Sequence, residues 1–323
     1  MRILLVRLSS FGDIVFTLPL ATALRASFPG AELAWAVEEP FAPLVEPAAD
    51  RVLTTRTRAW RKALLRKETR GEIAAFLSEA RAFRPDVVVD AQGLFKSAWA
   101  TLLVPAGRKI GFGFRSATEG VNALVTDERV DVRSRAHVTD RALALVEHLT
   151  GRTGFPRRPD VAALASRPEP LVDGWLSENA GPFALLQPFS SARSKEWAAD
   201  GVVAFARRAR ESGLASVVRW GPGERDRAEA LVAAGEGALA LAPPTSPSSS
   251  ARLAARAALF VGADTGPTHL AAAAGTPTVA LFGPTDPARF GPIGPRCAVL
   301  PLPRGDYDPV SGADDILRAK QKL

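Results

Sequence analysis

The chain has 323 residues, more than one compact domain usually needs and suited to two of about 150 each. Apolar residues make up 47% and charged ones 23%, enough for two buried cores, which excludes global disorder. Lys plus Arg number 41 against 34 Asp plus Glu, a net charge of +7; that excess favours an anionic partner such as nucleic acid, an acidic membrane surface or a phosphorylated substrate.

Met1 to Leu8, MRILLVRL, is too short and too strand-like for a signal peptide. Arg2 to Leu8 predicts the first strand, and Ser9-Ser10-Phe11-Gly12-Asp13 leads into a helical pattern from Ile14 to Phe28 that Pro29-Gly30 stops. Glu32 to Val37 reads as the next strand, and helix returns around Arg70 to Phe83. Asp86 to Asp90 is a buried strand ending in Ala91-Gln92-Gly93, and Arg135 to Leu149 closes this half as a helix. Thr153 to Pro170 is rich in Pro and Arg, the composition of a linker or of a domain's first turn.

The alternation then restarts with strand Phe183–Leu186, helix Asp200–Ser212 and strand Ser216–Trp220, which closes on Gly221-Pro222-Gly223-Glu224. Helices Asp226–Ala234 and Ser250–Ala257, strand Ala258–Gly262, helix Pro267–Ala274 and strand Thr278–Phe282 follow. Buried strands alternating with amphipathic helices indicate βαβ units and parallel sheets, so two doubly wound halves are expected. Such sheets bind ligands beyond the carboxyl ends of their strands, which places the expected site in a cleft between the halves. The uncharged stretch between Asp264 and Asp286 is broken by Gly266, Pro267, Gly275, Pro277 and Gly283 and is no spanning helix. A lone Cys297 excludes an intramolecular disulfide, and three histidines make a multi-histidine metal centre an unpromising reading. A soluble protein of the reducing cytoplasm is the expectation.

Asp264-Thr265-Gly266 predicts a tight turn into a helix with Pro267 near its first position. The N–H groups of Thr265, Gly266 and Thr268 are then expected at a helix N-terminus, ready for phosphate. An isolated Asp at this place serves equally as a helix cap, and His269 reads either as a packed residue or as a ligand contact. A second turn, Phe282-Gly-Pro-Thr-Asp-Pro287, emerges on the same edge. Ser190, Ser191 and Lys195 offer hydroxyls and an ammonium for a diphosphate, and Glu224 is either a solvated turn residue or an acceptor for ribose hydroxyls.

In the first half, Gly12 predicts a sharp turn that exposes Asp13, as a helix cap or as a general base. Neither this segment nor Gly111-Phe-Gly113 has the glycine spacing of a dinucleotide fingerprint. Lys96 follows the Asp90 loop. Arg56, Arg58, Arg61, Lys62, Arg66 and Lys67 cluster around Trp60, a pattern that also suits a solvated helix face.

Taken in order along nearly the whole chain, Ser9-Ser-Phe-Gly-Asp13, Val37-Glu-Glu39, Trp60-Arg-Lys62, Asp90-Ala-Gln-Gly93, Lys96-Ser97, Asp264-Thr-Gly-Pro-Thr-His269 and Phe282-Gly-Pro-Thr-Asp-Pro287 resemble the ADP-heptose–lipopolysaccharide heptosyltransferases, glycosyltransferase family 9. The Val-Glu-Glu, Trp-Arg-Lys and Asp-Ala-Gln-Gly segments look most like the heptosyltransferase I branch. The resemblance implies a GT-B fold, with two Rossmann-like domains facing across a cleft: 1–155 binding the acceptor, 156–305 binding the nucleotide sugar, and a tail, 306–323, packing back on the first. It implies inverting transfer of heptose from ADP-heptose to Kdo of Kdo-lipid A, with Asp13 as the catalytic base. Ser190, Ser191, Lys195, Thr265 and Gly266 fall where the family holds the diphosphate, Glu224 where it binds ribose, and Asp264 and His269 around the donor loop. Arg58, Lys62 and His137 match acceptor positions, and Arg115 stands one turn from Thr118, where the family has a basic residue. Ser190-Ser191 replace expected threonines but keep the hydroxyls. No essential metal or cofactor is expected. The resemblance further implies a monomer, transient contact with the cytoplasmic face of the inner membrane, and no nucleic-acid partner. A related transferase using another acceptor or nucleotide sugar, and a non-catalytic protein binding anionic glycolipid, are the competing readings.

Overall fold

Runs such as Val87-Val-Val-Asp90 and Phe183-Ala-Leu-Leu-Gln187 carry no polar alternation, so both faces of their strands must be covered. The computed structural model, which describes residues 1–302 and 308–323, meets that demand with two parallel sheets, each in its own unit. The units are Met1–Pro159 and Asp160–Leu323.

The first unit runs β1 (Arg2–Val6), α1 (Phe11–Ser27), β2 (Glu32–Glu38), α2 (Ala42–Val45), β3 (Arg51–Thr55), α3 (Thr57–Lys62), α4 (Lys67–Phe83), β4 (Val87–Asp90), α5 (Phe95–Leu103), β5 (Arg108–Phe112), β6 (Glu128–Val130) and α6 (Val138–Thr150). Its strands lie in the order β3-β2-β1-β4-β5-β6. The strand order reverses direction between β1 and β4, where Val6 stands level with Asp90. One sheet face packs Leu4, Val6, Leu53 and Val88 against Trp60, Phe76 and Phe83.

The second unit runs α7 (Ala162–Ser166), α8 (Pro170–Glu178), β7 (Phe183–Gln187), α9 (Ala199–Glu211), β8 (Ala215–Val218), α10 (Arg225–Ala234), β9 (Leu239–Leu241), α11 (Ser249–Arg256), β10 (Leu259–Ala263), α12 (Gly266–Ala274), β11 (Thr278–Phe282), α13 (Pro287–Phe290), β12 (Cys297–Pro301) and α14 (Pro309–Gln321). The sheet order β12-β11-β10-β7-β8-β9 repeats the topology of the first unit, with its reversal between β7 and β10. Alternate residues of β7 serve opposite cores: Ala184 and Leu186 pack toward Val202, Phe205 and Ile316, and Phe183 and Leu185 toward Val172, Leu253 and Phe260. Ligands of such sheets bind where the strand order reverses, so each unit has one privileged loop pair: after β1 and β4, and after β7 and β10.

One expectation changes. The carboxyl-terminal helix was expected on the amino-terminal half; instead α14 packs on α9, places Ala313 and Ile316 in the second unit's core and pairs Asp314 with Arg208 at 2.8 Å. Of the two readings of 153–170, the start of a domain fits its later part, which contains α7 with Leu164 buried. The expected boundary at 305 lies outside the described residues.

Candidate active site

In the first unit, β1 delivers Arg7 to Ser10 to the sheet's carboxyl edge, and α1 begins at Phe11, earlier than the apolar periodicity indicates. Gly12 is therefore helical and does not make the expected turn; Ser10 caps the helix, and Asp13 lies in its first turn. Asp13 Oδ2 accepts hydrogen bonds from the Ser10 backbone N–H at 3.1 Å and from its hydroxyl at 2.9 Å. Its other oxygen, Oδ1, lies 2.9 Å from Arg7 Nη2. Burial alone would raise the Asp13 pKa, but the Arg7 guanidinium and the Ser10 donors outweigh it and hold the carboxyl below its ordinary value.

The loop after β4 braces this arrangement. The Gln92 side chain accepts from the N–H of Leu8 at 2.8 Å and of Ser9 at 3.2 Å, and donates to the Ser9 carbonyl at 2.9 Å. Asp90, fully buried, accepts from the N–H groups of Gln92 and Gly93, from the hydroxyls of Ser97 and Thr101, and from Asn122. That carboxylate is a structural staple. Gly93 adopts φ +68°, the left-handed conformation the turn around Asp90 needs. Lys96 Nζ donates to Ser9 Oγ, and the fields of Glu38, Arg7, Arg58 and Asp13 all reach it. Burial leads in lowering its pKa from the ordinary 10.5.

The basic residues expected at an acceptor divide by place. Arg58 and Lys62 are exposed on α3, and Arg115 is exposed in the loop after β5. His137 is buried at the head of α6, where Nδ1 accepts from the Thr139 N–H at 3.1 Å and the ring meets Phe16 edge-on at 5.2 Å. It thus has a capping job, which explains why α6 starts at Val138.

In the second unit, β10 ends at Ala263, Asp264 follows it directly, and Thr265 caps α12 in an extended conformation (φ −145°, ψ 164°). Asp264 is buried and binds three elements together. Oδ2 lies 2.7 Å from Lys195 Nζ and accepts from the Thr285 hydroxyl at 2.7 Å, and Oδ1 lies 3.1 Å from His269 Nε2. Burial pushes its pKa up, yet His269, Lys195 and Thr285 together hold it far below the usual carboxylate range. The Thr268 N–H, expected free, donates instead to the Thr265 carbonyl at 3.1 Å, which tightens the first turn. Among the described residues, the N–H groups of Thr265 and Gly266 take no partner. The helix backs tightly on its strand: a Cβ at Gly262 would sit 2.6 Å from Thr268 Oγ1 and 3.0 Å from Gln187 Cβ.

Ser190 and Ser191 follow β7, half-buried and exposed respectively, and the Ser190 hydroxyl accepts from the Ala192 N–H at 3.3 Å. Glu224 caps α10 and takes the Gly221 N–H on Oε2 at 2.6 Å, closing its turn. Arg219 lies buried behind these loops, donating to Gln187 Oε1 at 2.6 Å and to Ser250 Oγ at 2.9 Å, and Gln187 in turn donates to the Phe189 carbonyl at 2.9 Å. Burial pushes the Arg219 pKa down to about 10.

A family model for glycosyltransferase family 9 (heptosyltransferase) matches residues 73–311. The chain belongs to glycosyltransferase family 9. Lipopolysaccharide heptosyltransferase 1 of Escherichia coli K12 is 31% identical over 94% of this chain and 94% of that protein. The protein of the same name from Pseudomonas aeruginosa PAO1 is 34% identical over 91% of this chain and 82% of that one. Among solved structures, E. coli heptosyltransferase WaaC with ADP superposes with a TM-score of 0.86 at 28% identity, covering 99% of this chain and all of the other. WaaC with ADP-2-deoxy-2-fluoro heptose gives 0.84 at 27% identity, covering both chains in full.

Within this family 9 chain, the structure gathers Asp264, Thr265, Gly266, His269 and Lys195 at one switch point. It places Asp13 at the other. Sequence reasoning missed Arg7, Gln92, Arg219 and the hydroxyl of Thr285. Two of them carried a signal, Gln92 as part of Asp90-Ala-Gln-Gly93 and Thr285 as part of the Gly-Pro-Thr-Asp turn.

Proposed function

We propose that the protein is an inverting heptosyltransferase of the heptosyltransferase I type, moving L-glycero-D-manno-heptose from ADP-heptose to Kdo of Kdo-lipid A. The observation that carries this reading is the match to proteins named lipopolysaccharide heptosyltransferase 1 along nearly the whole chain.

Asp13 takes the proton from the Kdo hydroxyl as that oxygen attacks the anomeric carbon of the donor. The bond from that carbon to the ADP oxygen breaks, and ADP leaves from the opposite face with inversion. Being ionised at neutral pH, Asp13 is ready to accept the proton, and Arg7 and Ser10 fix its orientation. In the donor half, the N–H groups of Thr265 and Gly266 and the hydroxyls of Ser190 and Ser191 receive the diphosphate. Lys195 has three donors, so one stays with Asp264 while the others reach phosphate oxygens and stabilise departing ADP. Glu224 takes the ribose hydroxyls, and Asp264 and His269 hold the donor loop and face the sugar. Arg58, Lys62 and Arg115 meet the acidic acceptor, and His137 caps α6 in the same half of the chain.

No helix among the described residues is long and apolar enough to cross a membrane. With its acceptor in a bilayer, the enzyme works from the cytoplasm as a monomer in transient contact with the inner membrane face. The direct test incubates purified protein with ADP-heptose and Kdo-lipid A and follows ADP release and the mass of the lipid. Gain of one heptose supports the reading. Turnover only with another nucleotide sugar or with an already heptosylated acceptor reassigns the substrate, and binding without ADP release makes the protein a glycolipid binder.

A further inference from the structure

A cavity of about 410 Å³ opens beside Lys96, lined by residues of α3, α4, α5 and the turn after α3, and none of the catalytic steps above uses its apolar wall. Its volume falls within the range of small-ligand sites, roughly 300–1,000 Å³. The wall is aromatic and rigid. Trp60 meets Trp99 edge-on at 5.9 Å, and Trp99 meets Phe76 at 5.5 Å. The Trp60 indole N–H is spent on Glu72 Oε2 at 2.6 Å, so its ring offers the cavity only apolar surface. Ile73 completes the wall, and Leu64 and Phe95 stand at the mouth, 54% and 64% exposed.

The rim is cationic: Arg58, Arg61 and Lys96. Of the nearby carboxylates, Glu72 is engaged with Arg56 and Trp60, and Glu38 hydrogen-bonds Thr57 while its field, like that of Asp13, also reaches Lys96. Among the described residues, none of the three rim cations makes an ion pair. Apolar rings inside and unpaired cations outside complement an amphiphile with an aliphatic chain and an anionic head.

We infer that this cavity is a subsite for one acyl chain of the lipid acceptor, with the acceptor's anionic head held by Arg58, Arg61 and Lys96. The inference rests on the heptosyltransferase reading for the identity of the lipid, whereas the amphiphile chemistry follows from the cavity alone. Lys96 links the two places, since it lines the cavity and bonds Ser9 in the loop that leads into α1, whose first turn carries Asp13. The chain therefore anchors a substrate whose head reaches the proposed base.

The test titrates the full-length protein with dodecyl phosphate below its micelle concentration, by calorimetry and without any donor present. Saturable binding is expected, weakened about 10-fold or more in the double variant L64D/F95D, because each buried apolar side chain contributes about 1.5–3 kcal/mol and 1.4 kcal/mol is tenfold. Both residues are exposed, and unchanged ADP affinity in the variant reports an intact fold. Inorganic phosphate and dodecyl maltoside, each carrying half of the chemistry, are expected to bind at least about 10-fold more weakly. Equal binding of either one, or an unchanged affinity in the double variant, overturns the subsite. In turnover assays the KM for an acylated acceptor lies below that for the fully deacylated one, and the double variant erases that ratio. If the variant instead loses only binding to phosphatidylglycerol vesicles, with the KM ratio unchanged, the surface faces the bilayer and the acyl-chain assignment is wrong. Dodecyl phosphate binding that persists without any heptosyl transfer counts against the proposed function and leaves the amphiphile site standing.

Discussion

Asp13 does two jobs with its two oxygens: one caps α1 through Ser10, the other meets Arg7. Both favour the ionised form, so its folded pKa lies below the unfolded value of about 3.9. The stabilisation is therefore present above about pH 4 and is lost as pH falls through the folded value. Thermal melts should show the wild type losing stability relative to Asp13→Asn between about pH 6 and pH 3, whereas a constant difference would mean that the pairing has no energetic weight. Asp264 is the more deeply committed carboxylate, with Lys195, Thr285 and His269 all turned on it. Asp264→Asn leaves the Lys195 ammonium without its counter-charge and should cost about 3 kcal/mol in urea unfolding, together with a loss of ADP affinity. A variant as stable as the parent would show that these contacts are incidental.

At the level of elements, what the sequence reveals depends on where a strand sits in its sheet. The central strands β1, β4, β7, β10 and β11 read as apolar runs because both faces are covered, and each was expected at its place. The edge and flanking strands β3, β6 and β9 are short or mixed, as in Arg51-Val-Leu-Thr-Thr55 and Glu128-Arg-Val130, and carry no such signature. Helix α14 was legible as a helix, but its partner was not, since the face of α9 that receives it is chosen by tertiary packing. Ile316 is 1% exposed in the core it shares with Phe205. Ile316→Ala should lower unfolding free energy by roughly 2–5 kcal/mol, and a change under about 1 kcal/mol would contradict that packing.

At the scale of the whole molecule, one topology occurs twice, and each copy presents its chemistry where the strand order reverses. The donor loops were readable because glycine and proline punctuate them: Asp264-Thr-Gly-Pro marks a strand end and helix start without ambiguity. The partners that tune them were not readable. Arg7 with Asp13, Gln92 with Ser9, and Lys195 with Asp264 meet only once the sheet fixes its register, and the last two pairs are separated by 83 and 69 residues. The net charge of +7 likewise resolves into placed groups, with Lys195 at the donor loop and Arg58, Arg61 and Lys96 around the apolar cavity. The central claim, that Asp13 is the base of a heptosyl transfer, is tested most directly by turnover of Asp13→Ala at saturating ADP-heptose and Kdo-lipid A. A fall in kcat of about 10²–10⁴-fold is expected, with ADP affinity preserved and a cooperative thermal melt retained, and near-wild-type turnover would contradict it.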